Sequence, residues 1–136
     1  MNGDPECVYS DKNSYSMSFV PYFCGQNVKC LQTSDIWALK EAKQNIEKSY
    51  EVIGVLEHLN ITLTVLENKL PKFFAGVSQL YFNKKQILHQ NENKIKENVK
   101  KEVKQHLRAN LSNEYDLYEF AVQRLFKQYK QIIANN

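Results

Sequence analysis

Long apolar runs are missing from this 136-residue chain, and no stretch approaches the roughly 20 apolar residues that a membrane span requires. Glycine (4) and proline (3) are scarce, which excludes collagen-like and linker-dominated architectures. The opening Met1–Glu6 is polar and carries two acids, so it reads as neither a signal peptide nor a myristoylation site. Several catalytic signatures are also absent: the Gly-x-x-x-x-Gly-Lys-Ser/Thr phosphate loop, His-Glu-x-x-His and Gly-x-Ser-x-Gly. With 43% apolar and 24% charged residues, the bulk of the chain is not disordered, and its length suits one domain. A net charge of +3 is too small to imply nucleic acid.

The charge is unevenly spread. Eight basic residues face three acids between Lys84 and Arg108, a local excess of five positive charges, while the remainder is slightly acidic. Such a segment reads first as a solvated helix face and second as a surface for an anionic partner. The three cysteines, Cys7, Cys24 and Cys30, sit in the first quarter. A metal site would need a fourth ligand, and His58, His89 and His106 are all remote in sequence. The spacing from Cys24 to Cys30 allows a short disulfide loop, with Gly25 permitting a turn. Two sequons, Asn60-Ile61-Thr62 and Asn110-Leu111-Ser112, fit a secretory-pathway chain, and an oxidising compartment is favoured.

Residues 1–33 read as an irregular, cysteine-tied segment. Residues 34–81 read as helix–strand–helix: Ser34 is the expected N-cap of a helix to about Tyr50, with Ile36, Leu39, Ala42, Ile46 and Tyr50 on one face. Val52-Ile53-Gly54-Val55 has the pattern of a strand buried on both faces, as in a parallel sheet, although no partner strand is visible. A second helix follows with Leu56, Leu59, Leu63, Leu66 and Leu70 as its stripe, and Pro71 is expected to stop it. Ile61 and Val65 lie off that stripe and predict a second covered side. Residues 82–96 read as a polar loop, and 97–136 as C-terminal helices: a basic one to about Arg108 with Val99, Val103 and Leu107 as its stripe, then one from Ser112 to about Ile133. His58 and His106 read as structural and solvated residues, and Trp37 and Phe73-Phe74 as core. The chain predicts one strand and about four helices, and an isolated strand implies that it is part of a larger α/β domain.

Many residues recur in a recognisable order: Glu6-Cys7-Val8, Tyr22-Phe23-Cys24-Gly25, Cys30, Trp37-Ala38, Ala42-Lys43, Asn45, Tyr50, Ile53-Gly54-Val55, Leu59, Leu66-Glu67, Leu70-Pro71, Phe73-Phe74, Gly76 and Leu80-Tyr81. Tyr118-Glu119-Phe120-Ala121 and Phe126 form a second block. In this order the chain resembles the C-terminal half of the uronyl and heparan sulfate 2-O-sulfotransferases, including the Pipe-type proteins. The resemblance implies an α/β class, specifically the mostly helical C-terminal part of a P-loop-type sulfotransferase fold. It implies a type II Golgi membrane enzyme with its domain in the lumen. The implied reaction moves a sulfuryl group from PAPS (3′-phosphoadenosine 5′-phosphosulfate) to the 2-hydroxyl of a hexuronic acid, with a glycosaminoglycan as acceptor and no metal or nucleic acid. The family's phosphosulfate loop, catalytic histidines and membrane anchor precede the matched stretch. The chain therefore reads as a partial domain, inactive alone, whose first partner is the missing N-terminal half.

The resemblance also implies residue roles. Cofactor-binding positions fall on Tyr81, Gln86, Asn91 and Lys94, taking one residue as deleted just after Tyr81. His89, Lys84 and Lys85 are placed towards the acceptor. Cys24 and Cys30 match a bonded pair, which leaves Cys7 as a free thiol or as a point of adventitious dimerisation, and Asn60 and Asn110 are glycosylation candidates. No catalytic residue is assigned to this chain. Heparan sulfate relatives assemble as trimers, so homo-oligomerisation stays open. A second reading, from a different class, is a non-catalytic, disulfide-tied helical module that binds an anionic polysaccharide or a protein partner.

Overall fold

The computed structural model describes residues 18–32, 34–83 and 100–135. These are mostly helical and contain no strand, which corrects the expectation of a buried strand at 52–55. Val55 is extended (φ −122°, ψ 123°) and buried, but no described residue pairs with the run as a ladder partner. A strand exists only where a neighbouring backbone completes it. The chain falls into two compact units. One runs up to Ser49 and includes His106–Tyr118; the other comprises Tyr50–Gln105 and the residues from Glu119 onward.

The first unit is built on α1 (Phe19–Cys24) and α2 (Ile36–Ser49), with a 3₁₀ turn, Val28–Leu31, between them. The segment expected to be irregular is thus partly helical. Cys24 and Cys30 are joined by a disulfide, and Cys30 is fully buried. Gly25, in the loop between them, has φ +112°, a conformation that glycine tolerates. Both ends of α1 are held by distant side chains. The Glu114 carboxylate accepts from the N–H groups of Phe19 (2.8 Å) and Val20 (3.0 Å), placing a negative charge at the positive end of the helix. Asn45 Nδ2 donates to the carbonyls of Phe23 and Cys24, both at 3.0 Å.

Helix α2 starts one residue later than expected, with Asp35 rather than Ser34 as its cap, because the Asp35 carboxylate takes the Trp37 N–H at 2.7 Å. Its buried face is Ala38, Leu39, Ala42 and Ile46; Ile36, at the open first turn, is 78% exposed. Trp37 is not core but 40% exposed, with the Lys29 ammonium 5.7 Å from its ring centre.

In the second unit a 3₁₀ turn, Leu56–His58, leads into α3 (Leu59–Lys69), followed by α4 (Pro71–Phe74) and α5 (Val77–Asn83). As expected, α3 ends just before Pro71, at Lys69, with the non-helical Leu70 (φ −130°, ψ 54°) between them. Pro71 then opens α4, where its missing N–H costs nothing and its fixed φ suits a first turn. The leucine stripe is covered only in part: Leu63 is buried, Leu59, Leu66 and Leu70 are half-buried, and Leu56, in the turn before the helix, is 80% exposed. Val55 and Val65 form a core with Leu125 and Ile132, against which Val52, Ile61, Val122 and Tyr129 pack. The last two helices, α6 (Lys101–Asn110) and α7 (Ser112–Ala134), follow the expected order. α6 buries none of its residues, and Val103 stays exposed.

Candidate functional site

The irregular run 50–55 is anchored at both ends. Arg124 Nη2 donates to the Tyr50 and Glu51 carbonyls, and Gln128 Nε2 donates to Glu51 at 2.7 Å. At the other end the buried Thr62 hydroxyl accepts from the Val55 N–H and donates to the Val55 carbonyl, both at 3.0 Å. Gly54 is required there, because a Cβ would lie 2.5 Å from Thr62 Cγ2. Arg124 Nη1 and Gln128 Oε1 are buried without a partner among the described residues, so the clamp is only partly satisfied.

The part of the expected site that the structure describes lies after α4. The chain turns through Gly76 at φ +78°, with open space around the missing Cβ, so conformation rather than room calls for glycine. The Glu67 carboxylate on α3 fastens this turn, accepting the Ser78 hydroxyl at 2.6 Å and its N–H at 3.4 Å. The Ser78 hydroxyl bond is the main reason that the Glu67 pKa lies below the ordinary glutamate value. Partial burial opposes this, and the amides of Ser78, Gly76 and Val77 add to it.

Tyr81 sits on α5, which runs through Phe82 and Asn83 into the segment expected to be a loop. It is half-buried and meets Phe82 edge-on, with ring centres 5.4 Å apart. Around the turn, Phe73 (82%), Leu80 and Phe82 are exposed, so Phe73 is not core. An aromatic ring beside a fixed turn can stack on a planar base.

The other expected binding residues, Lys84, Lys85, Gln86, His89, Asn91 and Lys94, lie outside the described residues, as does Cys7. Asn60 and Asn110 are both exposed, in the first turn of α3 and at the end of α6. His58 packs edge-on against Phe126 at 4.9 Å, and His106 shares a 3.1 Å contact with Asn110. A shallow groove along α7, lined by Phe126, Lys127 and Lys130 among others, holds none of the expected residues. Among the described residues, no group of three or more His, Cys, Asp or Glu could hold a metal ion. No described helix is long and apolar enough to cross a membrane.

Sequence reasoning assigned no role to Glu67, Ser78 or Arg124, and gave Thr62 only its place in the Asn60 sequon. Glu67, at least, stands in the matched order beside Leu66. Its partner is eleven residues away, across an intervening helix, a distance that no periodicity reports.

The geometry gives an aromatic turn fixed on a helical scaffold, and comparison with known proteins shows what the chain is similar to. No protein-family model matches the chain. The uronyl 2-sulfotransferase homolog pip of Drosophila melanogaster is 36% identical over 135 residues, 94% of this chain and 26% of the relative. Human uronyl 2-sulfotransferase is 34% identical over 121 residues, 85% of this chain and 28% of the relative. Heparan sulfate 2-O-sulfotransferase 1 of Gallus gallus is 36% identical over 109 residues, 77% of this chain and 30% of the relative. The chain belongs to the uronyl and heparan sulfate 2-O-sulfotransferase family. It spans less than a third of the length of these relatives.

Proposed function

We propose that this chain is the C-terminal, mostly helical portion of a P-loop-type α/β sulfotransferase domain that works in the Golgi lumen. The reaction is transfer of a sulfuryl group from PAPS to the 2-hydroxyl of a hexuronic acid in a glycosaminoglycan. The observation that carries this reading is the near-continuous match to 2-O-sulfotransferases along 94% of the chain, which includes the turn that presents Tyr81.

PAPS supplies the activated sulfuryl group; the contribution of this chain is binding. The half-buried Tyr81 ring, on a helix whose start is pinned by Glu67, suits packing against an adenine face. Lys94 provides a cation for a phosphate of the nucleotide, and Gln86 and Asn91 provide polar contacts. His89, Lys84 and Lys85 are assigned to the acidic acceptor by the family match and their basic character. The base that takes the hydroxyl proton, and the cations around the sulfuryl group, come from elsewhere in the domain, so the chain alone does not turn over.

A chimera provides the test. The matched stretch of human uronyl 2-sulfotransferase is replaced by this chain, and transfer of labelled sulfate from PAPS to dermatan or heparan sulfate is measured. The expected result is turnover by the chimera and none by the 136-residue chain. Turnover by the chain alone would overturn the division of roles, and a folded chimera without transfer would overturn the functional reading.

A further inference from the structure

Helix α5 carries Tyr81, yet little among the described residues holds that helix in place. Neither α4 nor α5 has a buried residue. The turn that joins them passes through Gly76, and nothing lies within 4 Å of the Cβ position there, so packing does not fix it. Backbone bonds run along the turn, as from the Leu80 N–H to the Gly76 carbonyl at 3.0 Å, and set its curl without tying it to α3. The tie is one side chain. Glu67 accepts the Ser78 hydroxyl at 2.6 Å through one carboxylate oxygen and the Ser78 N–H at 3.4 Å through the other. Among the described residues, no other side-chain hydrogen bond links α3 to α5. A carboxylate is a charged acceptor, and bonds to such acceptors are shorter and about twice as strong as neutral ones. The Ser78 hydroxyl, before any other cause, holds the Glu67 pKa below the ordinary glutamate value, so the group is ionised at neutral pH.

We propose that Glu67 is a positioning residue for nucleotide binding: by holding Ser78 it fixes the angle at which α5 presents Tyr81 to the adenosine end of PAPS. This rests on the reading above, in which Tyr81 packs against the adenine. Ser78 and Tyr81 are three residues apart on α5, which makes them neighbours on one side of the helix. The orientation set at Ser78 is therefore carried to Tyr81 within a single turn. Phe82 does not replace this hold. It meets the Tyr81 ring edge-on at 5.4 Å, but it is 46% exposed and belongs to the same helix, so the two rings turn together and neither is fixed against α3. Without the carboxylate, α5 samples several orientations about the Gly76 turn. Only the fraction that presents the ring correctly binds, and apparent affinity falls by that fraction. Glu67 acts through Tyr81 and not on the transferred group, so its loss falls on binding rather than on the chemical step.

The test uses the human chimera and two readouts: KM and kcat for PAPS, and the Kd of adenosine 3′,5′-bisphosphate by titration calorimetry. Glu67→Ala should raise KM and Kd by roughly fivefold with kcat changed far less. Glu67→Gln keeps an acceptor for the Ser78 hydroxyl and should show a smaller rise. Tyr81→Ala supplies the deciding background, since a carboxylate that acts only through the ring adds nothing once the ring is gone. A further rise on adding Glu67→Ala to Tyr81→Ala would place the action of Glu67 elsewhere and overturn the proposal. So would an unchanged Kd in Glu67→Ala, or a loss confined to kcat; if Tyr81→Ala still weakens the nucleotide, the functional reading stands in each of these cases. No change in Tyr81→Ala itself would overturn that reading, and the proposal with it. Should the Glu67→Ala chimera fail to fold, Ser78→Ala removes the 2.6 Å bond from the other side and carries the same expectations.

Discussion

The Thr62 hydroxyl offers the sharpest test of how this fold is held, because one side-chain atom serves two backbone groups. Thr62 and Val55 are each only 5% exposed, so neither group freed by a substitution is compensated by bulk water. Thr62→Val keeps the side-chain shape but strands the Val55 N–H; the carbonyl retains its bond from His58. An orphaned buried donor and one lost bond together cost about 2–3 kcal/mol. Thr62→Ser keeps both bonds and loses one methyl group, a cost of about 1 kcal/mol. Urea unfolding followed by far-ultraviolet circular dichroism reads the difference as a shift in midpoint at constant slope. Gly54→Ala adds a second handle, because its Cβ would press on the same Thr62 methyl at 2.5 Å. Its cost should therefore fall by about 1 kcal/mol or more in the Thr62→Ser background, a coupling that separate sites would not show. Equal stability of Thr62→Val and Thr62→Ser would refute the backbone-anchoring role, and strictly additive effects of Gly54→Ala and Thr62→Ser would refute the close approach.

Two further outcomes follow from the same contacts. Replacing both Cys24 and Cys30 by serine opens a loop of only a few residues, so the destabilisation should be about 2 kcal/mol, seen in the amides of α1 and α2; an unchanged exchange pattern would contradict a stabilising role. The Glu67 pKa is depressed in the folded chain, so its contribution is complete above the ordinary glutamate range and is lost as pH falls through the lower folded value. The Ser78 amide should exchange faster as pH drops through that window, after correction for intrinsic rates; Glu67→Gln should abolish this dependence, and its persistence in the variant would assign it to another group.

Local patterns carried part of this architecture. The C-terminal helix was legible because Leu125, Tyr129 and Ile132 repeat at helical spacing against a single core. The leucine stripe of α3 was legible in part: Leu63 is buried and the second covered side at Ile61 and Val65 is present, but Leu56 stays outside because burial depends on what covers the helix, here the extended Val55 and α7. Trp37 and Phe73 were taken for core because composition does not say which apolar side chains their own chain covers. Of the candidate site, Tyr81 was accessible through the ordered match to relatives. The carboxylate that fixes its helix was not, since Glu67 and Ser78 meet only after α3 and α5 have folded together.

The central claim, that this chain supplies nucleotide-binding residues to a 2-O-sulfotransferase, is tested most directly by the KM for PAPS in the human chimera carrying Tyr81→Ala. Loss of a stacked ring should raise KM by about tenfold, with kcat changed far less, since the ring binds but takes no part in proton transfer. Lys104→Ala, on the exposed basic helix α6, serves as the control and should leave KM for PAPS unchanged. An unchanged KM in Tyr81→Ala, or an equal rise in both variants, would contradict the account.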